Sequence, residues 1–470
     1  MQPTLQITMR IRIVLAACCL LHATALHSQE RASDRRRWLG AGQQVSDDPR
    51  RVPEPATPKG PEGTLVLRGG RVFDGTGAPA RPATVVLQRN KIVQVLDASS
   101  TNWPRDARVI DVSGKTVMPG LIDLHTHLGY IEPPFSSEDD PNDPDGTLRG
   151  MERLRYFIES GITSVRDVAS AGNIPFVLKR WVARNAIPGP RVFAAGQLIT
   201  GRGGHGAEGR LTKVDGSVIE RTGPLEWRLA VRDLFARGAD VIKIASHFSR
   251  DEVTAAVEEA HALGLKVTCD CETFYIHMAV EAGVDMIEHP LPRTDETIRL
   301  MAQKGVHADP TVYVYTYYFG RFGGGYFGST SRRFIFGDSL NVQVLRRMKE
   351  AGIKMGIGTD LIVDWFRAMP QPYINELKYF TQVGYSVPDA LVAATRTNAE
   401  LLDMDDRLGT LQPGKLADVL VVNGRPDERL DDLANVDLVI RDGWMVVEGG
   451  KVVVPRHTPT AAPPLWRPKP

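Results

Sequence analysis

A repeating unit between residues 115 and 405 constrains the fold of this chain more than any other feature. A helix-like stretch ends at a glycine, and a short apolar segment typical of a strand follows, as in "GITSVRDV", "GADVIKIAS" and "GVDMIEHP". The glycines fit the left-handed position after a helix end, and they are Gly161, Gly238, Gly264, Gly283, Gly305 and Gly352. Together with "GLIDLHTH" and "PRVFAAGQL" the pattern makes eight strands, which predict an α/β fold with a closed (β/α)₈ TIM-type barrel. A doubly wound open sheet is the alternative.

Both ends of this region are flanked by segments that alternate between apolar and polar residues. They cover residues 63–115 and 406–455 and include "TLVLRGGRVFDG" and "WMVVEGGKVVV", which are typical of strands joined by glycine-containing turns. We therefore expect a small β-sandwich domain built from both chain ends, beside a barrel that covers residues 116–405.

The beginning of the chain predicts export. Arg10 and Arg12 precede the apolar run "IVLAACCLLHATA", which is too short to cross a bilayer. The pattern is typical of a signal peptide over residues 1–28; a lipoprotein anchored at Cys18 is the less favoured alternative. A disordered linker is expected over 29–62, and a C-terminal tail over 456–470. We expect a periplasmic or secreted protein with no transmembrane segment after signal removal.

The overall charge argues against partners that are recognised through a strong electrostatic field. The 57 Lys and Arg residues nearly balance the 56 Asp and Glu residues, so neither nucleic acid nor a membrane surface is an expected partner. A small-molecule substrate is expected instead, and a homo-oligomer is compatible with the sequence. Beyond the signal peptide the cysteines are Cys269 and Cys271, which we expect to be poor disulfide partners because they lie so close along a strand.

Two histidines at the end of the first barrel strand indicate a metal site. His125 and His127 are two residues apart, so in a strand their side chains share a face. Two neutral imidazoles there can grip a transition metal, although a pair of hydrogen-bonded polar residues is the simpler alternative. Lys243, His289 and Asp360 end other strands of the same predicted barrel. The shared position of these residues at strand ends favours a metal site over a pair of hydrogen-bonded polar residues.

Five ordered motifs then resemble the amidohydrolase superfamily, and more closely its imidazolonepropionase-like and prolidase-like dipeptidase branch. They are "VMPGLIDLHTHLG", "GADVIKI", "AGVDMIEHP", "GIGTD" and "LGTLQPGKLADVLVV". The resemblance implies a metal-dependent hydrolase with a β-sandwich beside the barrel, which cleaves C–N bonds of amides, cyclic imides or small peptides. It also implies one or two Zn²⁺ ions, or another divalent transition metal.

The resemblance assigns roles to the residues that match. His125 and His127 would bind the more buried metal, and Lys243 would be a carbamylated bridge between two metals, unless it is an ordinary salt-bridge partner. His289 would bind the second metal. Asp360 would bind the first, take a proton from the attacking water and pass it to the leaving nitrogen. The catalytic residues are thus Asp360, His289 and Lys243.

The fifth strand departs from this pattern. Where the family has a histidine ligand, this chain reads "GLKVTCDCETFYIHMAVEAG". Counting forward from Gly264 puts Asp270 at the ligand position, whereas counting back from Gly283 puts Cys269 there, and a shift of one residue exchanges the two faces of a strand. Three alternatives remain open: an altered site for two metals, a one-metal site that keeps His125, His127 and Asp360, or an inactive site.

Substrate contacts are expected on the loops above the barrel. His205 lies among glycines in "TGRGGHGAEG", where it could reach a carboxylate or carbonyl group of the substrate. The stretch "TVYVYTYYFGRFGGGYFGSTSRRF" contains five of the 11 Tyr residues and predicts an aromatic lid, with Tyr313 and Tyr315 as substrate contacts. Tyr313, Tyr315 and Tyr317 alternate as on a strand and would share a face. An internal ion pair is expected for Arg166 and Asp167.

These patterns favour an enzyme that hydrolyses a small amide or peptide substrate, with dipeptides among the candidates. Two alternatives differ from it in class. One is a metal-poor binding or scaffold protein that has lost turnover, and the other is a lactone or organophosphate ester hydrolase.

Overall fold

The computed structural model describes residues 60–130, 143–207, 216–319 and 338–453. The predicted signal peptide, the linker up to residue 59, the C-terminal tail and the glycine-rich part of the predicted lid lie outside these residues. Among the described residues, no helix combines the length and the apolar character needed to cross a bilayer.

Strands lie in both terminal parts of the chain and throughout its middle region. In the described residues they are β1 (Thr64–Arg68), β2 (Arg71–Val72), β3 (Arg81–Gln88), β4 (Lys91–Asp97), β5 (Arg108–Asp111), β6 (Thr116–Pro119), β7 (Leu121–Thr126), β8 (Ile162–Asp167), β9 (Arg191–Ala194), β10 (Leu198–Gly201), β11 (Val218–Arg221), β12 (Val241–Ala245), β13 (Lys266–Asp270), β14 (Met286–Glu288), β15 (His307–Asp309), β16 (Val419–Val422), β17 (Val436–Arg441), β18 (Trp444–Glu448) and β19 (Lys451–Val452).

The helices alternate with the strands of the middle region. The α-helices of the described residues are α1 (Asp143–Glu159), α2 (Ile174–Ala183), α3 (Pro224–Arg237), α4 (Arg250–Ala262), α5 (Thr273–Ala282), α6 (Asp295–Lys304), α7 (Asp338–Glu350), α8 (Gln371–Val383), α9 (Val387–Val392) and α10 (Asn398–Leu401). Short π-helices cover Val314–Phe319 and Ala393–Thr397, and 3₁₀ helices cover Val363–Ala368 and Leu430–Ala434.

Strands from both chain ends form one sheet. Its order is β19-β18-β17-β16-β6-β2-β3-β1-β5, with β4 paired to β3, and most neighbours are antiparallel. An apolar cluster on this sheet combines Leu67 and Val85 from the N-terminal part with Val419 and Ile440 from the C-terminal part. The sheet includes β6, which lies past the predicted domain boundary at residue 115, because β6 pairs with both β2 and β16.

Two parallel sheets carry the middle of the chain. One has the order β7-β8-β9, and the other, which is curled like half a barrel, has the order β11-β10-β12-β13-β14-β15. The eighth predicted strand is not continuous: it makes single parallel bridges, Ala308 with Met355 next to β15 and Thr126 with Leu361 next to β7. Because parallel strands end at the same edge, the residues that follow β7, β12, β13 and β14 are brought together.

The glycine positions predicted after helix ends are confirmed. All six have a positive φ, and Gly238 and Gly283 directly follow α3 and α5 with φ values of 100° and 97°. A residue with a Cβ atom adopts this conformation at a cost, whereas glycine does not. The glycines thus end the helices where the chain must turn back into the sheet.

The expectation for the cysteines was wrong, because Cys269 and Cys271 form a disulfide. Cys269 lies in β13, the strand ends at Asp270, and the two Cα atoms are 5.3 Å from each other. That separation is within the range of ordinary disulfides. Both residues are fully buried in the apolar core.

Candidate metal centre

His127 turns one ring nitrogen towards the centre of the site and the other towards the backbone. Its Nδ1 atom is 2.9 Å from the carbonyl oxygen of Ala169, and its Nε2 atom is 3.1 Å from Oδ1 of Asp360. A carbonyl oxygen can only accept, so Nδ1 carries the proton and donates it. Nε2 is then the nitrogen that faces the carboxylate, and it is the atom through which the ring could bind a cation.

His125 is arranged in the same way. Its Nδ1 atom is 2.9 Å from Oε2 of Glu288, and its Nε2 atom is 3.4 Å from Oδ1 of Asp360. The ring is fully buried, and burial together with the nearby Lys243 lowers the pKa of His125 well below its usual value. The imidazole is therefore neutral, donates from Nδ1 to Glu288 and presents a lone pair at Nε2.

Asp360 lies close to both imidazole rings. It lies in the bridging segment after α7, just before Leu361, and its backbone N–H donates to the carbonyl oxygen of His125 at 2.8 Å. Burial by itself raises the pKa of Asp360, but the neighbouring rings of His125 and His127 outweigh it and hold the pKa below its usual range. Asp360 is thus an ionised carboxylate at the meeting point of two imidazoles.

His289 approaches from β14. Its Nδ1 atom is 2.9 Å from Oγ1 of Thr311, and donor atoms of His125, His289 and Asp360 all lie within 4.8 Å of one another. His289 and Asp360 both have positive φ values, 66° and 49°. Such backbone conformations are rare without glycine and cluster at functional sites. His289 directly follows β14, and Asp360 directly precedes the bridge residue Leu361.

Lys243 and Asp270 lie on the other side of His289. Lys243 is buried in β12, with its Nζ atom 3.2 Å from Nε2 of His125 and 3.8 Å from Oδ2 of Asp270. Asp270 ends β13, and its Oδ2 atom is 3.2 Å from Nε2 of His289. Burial raises the pKa of Asp270, but His205 and His289 outweigh burial and hold it well below its usual value.

The two candidate residues of the fifth strand, Asp270 and Cys269, lie in different surroundings. Asp270 points into the site, whereas Cys269 points into the apolar core and its sulfur is bonded to Cys271. A sulfur in a disulfide offers no thiolate, so the interpretation of Cys269 as a metal ligand finds no support in this arrangement.

His205 is brought into the same site. Its Nε2 atom is 2.7 Å from Oδ2 of Asp270, and only 13% of its side chain is exposed. The sequence suggested His205 as a substrate contact, without a partner inside the protein. Its link to Asp270 could not be predicted because the loop gives no fixed register.

The tyrosines do not share one face, because the chain is helical there rather than extended. Tyr313 and Tyr317 are four residues apart, and their rings stack at 5.0 Å. Tyr315 is buried and packs edge-on against the ring of His289 at 4.8 Å. Tyr315 therefore borders the site directly, and Tyr313 lies in a separate aromatic stack.

A buried polar layer beneath the site was missed by the sequence analysis. Glu288 is held by Arg166 at 2.7 Å and by a short hydrogen bond from the hydroxyl of Thr268. Arg166 also lies 3.2 Å from Asp309. Its ion pairs are therefore with Glu288 and Asp309, whereas the sequence analysis predicts a pair with the neighbouring Asp167. The signal was present in "MIEHP", where a glutamate directly precedes a candidate ligand inside an apolar strand.

Asp123 fixes the position of Asp360 relative to His125. It accepts hydrogen bonds from the backbone of His125 at 3.0 Å and from the backbone and hydroxyl of Thr359 at 3.1 and 2.7 Å. Burial raises the pKa of Asp123 to about 7. Asp123 thus ties β7 to the bridging segment next to it.

The donor set fits a divalent metal ion. His125 and His127 each donate from Nδ1 to an outer partner, Glu288 or the carbonyl of Ala169. Both rings turn Nε2 towards the carboxylate of Asp360. The inward nitrogens lie 3.4 and 3.1 Å from Oδ1 of Asp360, a spacing that one ion can bridge. Outer partners of this kind orient metal-bound histidines. Imidazole nitrogens with a carboxylate oxygen are typical ligands of zinc and related metals.

Comparisons with known proteins identify the family of this chain. Residues 116–446 match the amidohydrolase family. An imidazolonepropionase from Symbiobacterium thermophilum is 25% identical over 434 residues, which cover 84% of this chain and 95% of that protein. The crystal structure of a Xaa-Pro dipeptidase with bound methionine in the active site is 27% identical, with a TM-score of 0.74, and the match covers 82% of this chain and all of the other. A prolidase complexed with N-methylphosphonate-L-proline is 30% identical, with a TM-score of 0.73 and the same coverage.

Proposed function

Because this chain belongs to the amidohydrolase family, in its imidazolonepropionase-like and prolidase-like branch, and is therefore a hydrolase acting on C–N bonds, we propose that it cleaves an amide or peptide bond of a small substrate with the help of zinc. The observation that carries the proposal is the meeting of the Nε2 atoms of His125 and His127 with Oδ1 of Asp360. Enzymes of this family act on small-molecule substrates.

A closed eight-stranded barrel with a β-sandwich beside it is part of the proposal. The hydrogen bond from Leu124 to Ile357 at 3.0 Å and that from Gly356 to Ala308 at 2.9 Å support closure between β15 and β7. The hydrogen bond from Asp240 to Ala194 at 2.8 Å supports closure between β9 and β12. The similarity in fold to the prolidase supports the same arrangement.

The residues of this chain supply binding, orientation and proton transfer. His125, His127 and Asp360 would hold the ion, with His289 beside it; when bound, such an ion polarises a carbonyl group and makes water more acidic. Asp360 is ionised and can accept a proton from the attacking water at its carboxylate. It can then donate that proton to the leaving nitrogen, as a general acid. Tyr315 shields His289 from solvent.

The substrate we propose is a dipeptide with a C-terminal imino acid or hydrophobic residue. The likeness to a Xaa-Pro dipeptidase and to a prolidase supports this class. Tyr315, beside His289, and Tyr313, farther out, would form an aromatic wall, with His205 on the opposite side next to Asp270. Export of the protein through the signal-like residues 1–28 is proposed from the sequence alone.

Metal analysis combined with substrate panels tests the proposal. We expect bound zinc and hydrolysis of dipeptides, with Xaa-Pro peptides among the best, and little turnover of lactones or organophosphate esters. Protein without bound metal or turnover would favour a binding or scaffold role. Faster turnover of the esters than of any amide would favour the ester hydrolase instead.

A further inference from the structure

The turn that follows β7 begins with His127, and its backbone N–H groups are held by the neighbouring strand. Leu128 donates to Oδ2 of Asp167 at 2.8 Å, and Gly129 donates to Oγ of Ser170 at 2.9 Å. Asp167 ends β8, and both of these partners are fully buried. Because buried N–H groups are costly to leave without a partner, these two hydrogen bonds tie the turn to the end of β8.

Arg153 holds the carbonyl groups of the same turn. It lies on α1, is buried, and has its guanidinium group over the ring of Phe366 at 4.9 Å. Its Nη1 atom is 2.6 Å from the carbonyl oxygen of Tyr130, 2.8 Å from that of Leu128 and 3.4 Å from that of His127. A guanidinium group is planar and always charged, so it donates from a fixed direction. Arg153 therefore fixes the backbone that carries His127 and Tyr130.

Tyr130 covers one face of the His127 ring. The two ring centroids are 4.3 Å apart, and the ring planes differ by only 19°. The hydrogen bond from Nδ1 of His127 to the carbonyl of Ala169 fixes the direction of one ring nitrogen, but a single hydrogen bond leaves the tilt of the ring open. A second aromatic ring in parallel contact restricts this tilt. The direction in which Nε2 faces Asp360 therefore depends on Tyr130 as well as on Ala169.

We propose that Tyr130 and Arg153 are positioning residues of the metal site. Tyr130 fixes the tilt of the His127 ring by stacking on it, and Arg153 fixes the turn from which both rings project. Both residues act through His127. The inference rests on the proposed function, since His127 is one of the ligands proposed there.

Two variants of Tyr130 separate the face of its ring from its hydroxyl group. Tyr130→Phe keeps the stack on His127, whereas Tyr130→Leu keeps an apolar side chain without a flat face. We expect Tyr130→Leu to bind zinc about 10-fold more weakly than the wild type, and Tyr130→Phe to bind it within about two-fold of the wild type. A competition titration of the full chain against a chelating dye measures both affinities. Wild-type affinity in Tyr130→Leu, or equal losses in the two variants, would overturn the role of the ring.

A readout of ligand geometry distinguishes positioning from a general loss of stability. The visible absorption bands of cobalt-loaded protein depend on how the ligands are arranged around the ion. Tyr130→Leu should shift these bands, and Tyr130→Phe should leave them unchanged. The melting temperature of the metal-free proteins is measured alongside. Unchanged bands together with a lower melting temperature in Tyr130→Leu would show a purely structural role and would refute the inference.

Arg153→Lys tests the other positioning residue. Lysine keeps the positive charge but lacks the planar fork, so it cannot hold the carbonyl groups of the turn in the same way. We expect zinc binding about 10-fold weaker than in the wild type. Arg155→Lys is the matched control, because Arg155 lies on the same helix, is 57% exposed and pairs with Glu159.

The outcomes separate this inference from the proposed function. Wild-type affinity in Arg153→Lys would exclude Arg153 as a positioning residue while leaving the metal site intact. The Tyr130 variants test the inference independently if Arg153→Lys does not fold. Wild-type protein that binds no zinc would contradict the proposed function itself, and this inference with it.

Discussion

Glu288 fixes a proposed ligand without touching the proposed ion. Its carboxylate accepts the proton of His125 Nδ1, while Arg166 and Thr268 hold it from the other side. This contact determines which nitrogen of His125 faces Asp360, and removing such outer partners typically weakens metal binding 10- to 100-fold. Glu288 is thus a positioning residue for the site.

Glu288→Gln tests this role. The variant should bind zinc about 10- to 100-fold more weakly than the wild type, because an amide no longer fixes the tautomer of His125. A competition titration against a chelating dye measures the affinity, below the melting temperature of the variant. Asp295→Asn is the control, since that carboxylate is 67% exposed, lies at the start of α6 and pairs with Arg347 outside the site. Equal affinities for both variants would show that Glu288 has only a structural role.

Asp360 is assigned both metal binding and proton transfer, and Asp360→Asn separates the two. The amide oxygen can still bind an ion, but it cannot accept a proton. We expect the turnover number for a dipeptide to fall about 10²- to 10⁴-fold, the usual contribution of a positioned acid–base group. Metal analysis and circular dichroism of the same sample show whether ion and fold are retained. Turnover at the wild-type rate would exclude Asp360 as the proton acceptor.

At the scale of elements, strand ends could be predicted from the sequence but local geometry could not. His125, Lys243 and His289 lie close together, as expected of residues near the common edge at which parallel strands end. The choice between Asp270 and Cys269 needed the actual register of β13. The π-helix over Val314–Phe319 was mistaken for a strand, because alternation over a few residues also fits a partly buried helix.

The start of this π-helix is held by Glu376 of α8. The two carboxylate oxygens of Glu376 accept the backbone N–H groups of Val312 and Tyr313 at 2.9 and 2.7 Å. Burial raises the pKa of Glu376 from 4.5 to about 8. Between these pH values the folded protein keeps a proton that the unfolded chain releases, so this contribution to stability is full below 4.5 and is lost as the pH rises to about 8.

Glu376→Gln should therefore flatten the pH dependence of stability. In metal-free protein the free energy of unfolding of the wild type should fall between about pH 5 and about pH 8 by up to about 1.4 kcal/mol per pH unit from this group. The glutamine variant lacks this titrating group, so its free energy of unfolding should fall less over the same pH range. Urea denaturation at both pH values measures the difference. Parallel losses in the two proteins would mean that Glu376 is already ionised in the fold.

At the scale of the whole molecule, the proposed ion joins distant parts of the chain. His125 and His127 come at the end of β7, and Asp360 lies in the segment that bridges β15 and β7, between Met355 and Leu361. The unfolded chain has no such preformed site, so binding stabilises only the folded state. The gain in free energy is about 2.7 kcal/mol when the free ion is at 100 times its dissociation constant.

Removing the metal should thus lower the melting temperature of the whole protein. Differential scanning calorimetry with zinc, and again after a chelator has removed it, should show the shift in the wild type and no shift in His127→Ala. His277→Ala is the matched control, because His277 lies on α5 and contacts Thr297 outside the site. The ion binds the folded state and not the unfolded chain. The shift in melting temperature should therefore also grow with the logarithm of the free zinc concentration. A shift that persists in His127→Ala would place the stabilising ion elsewhere in the molecule.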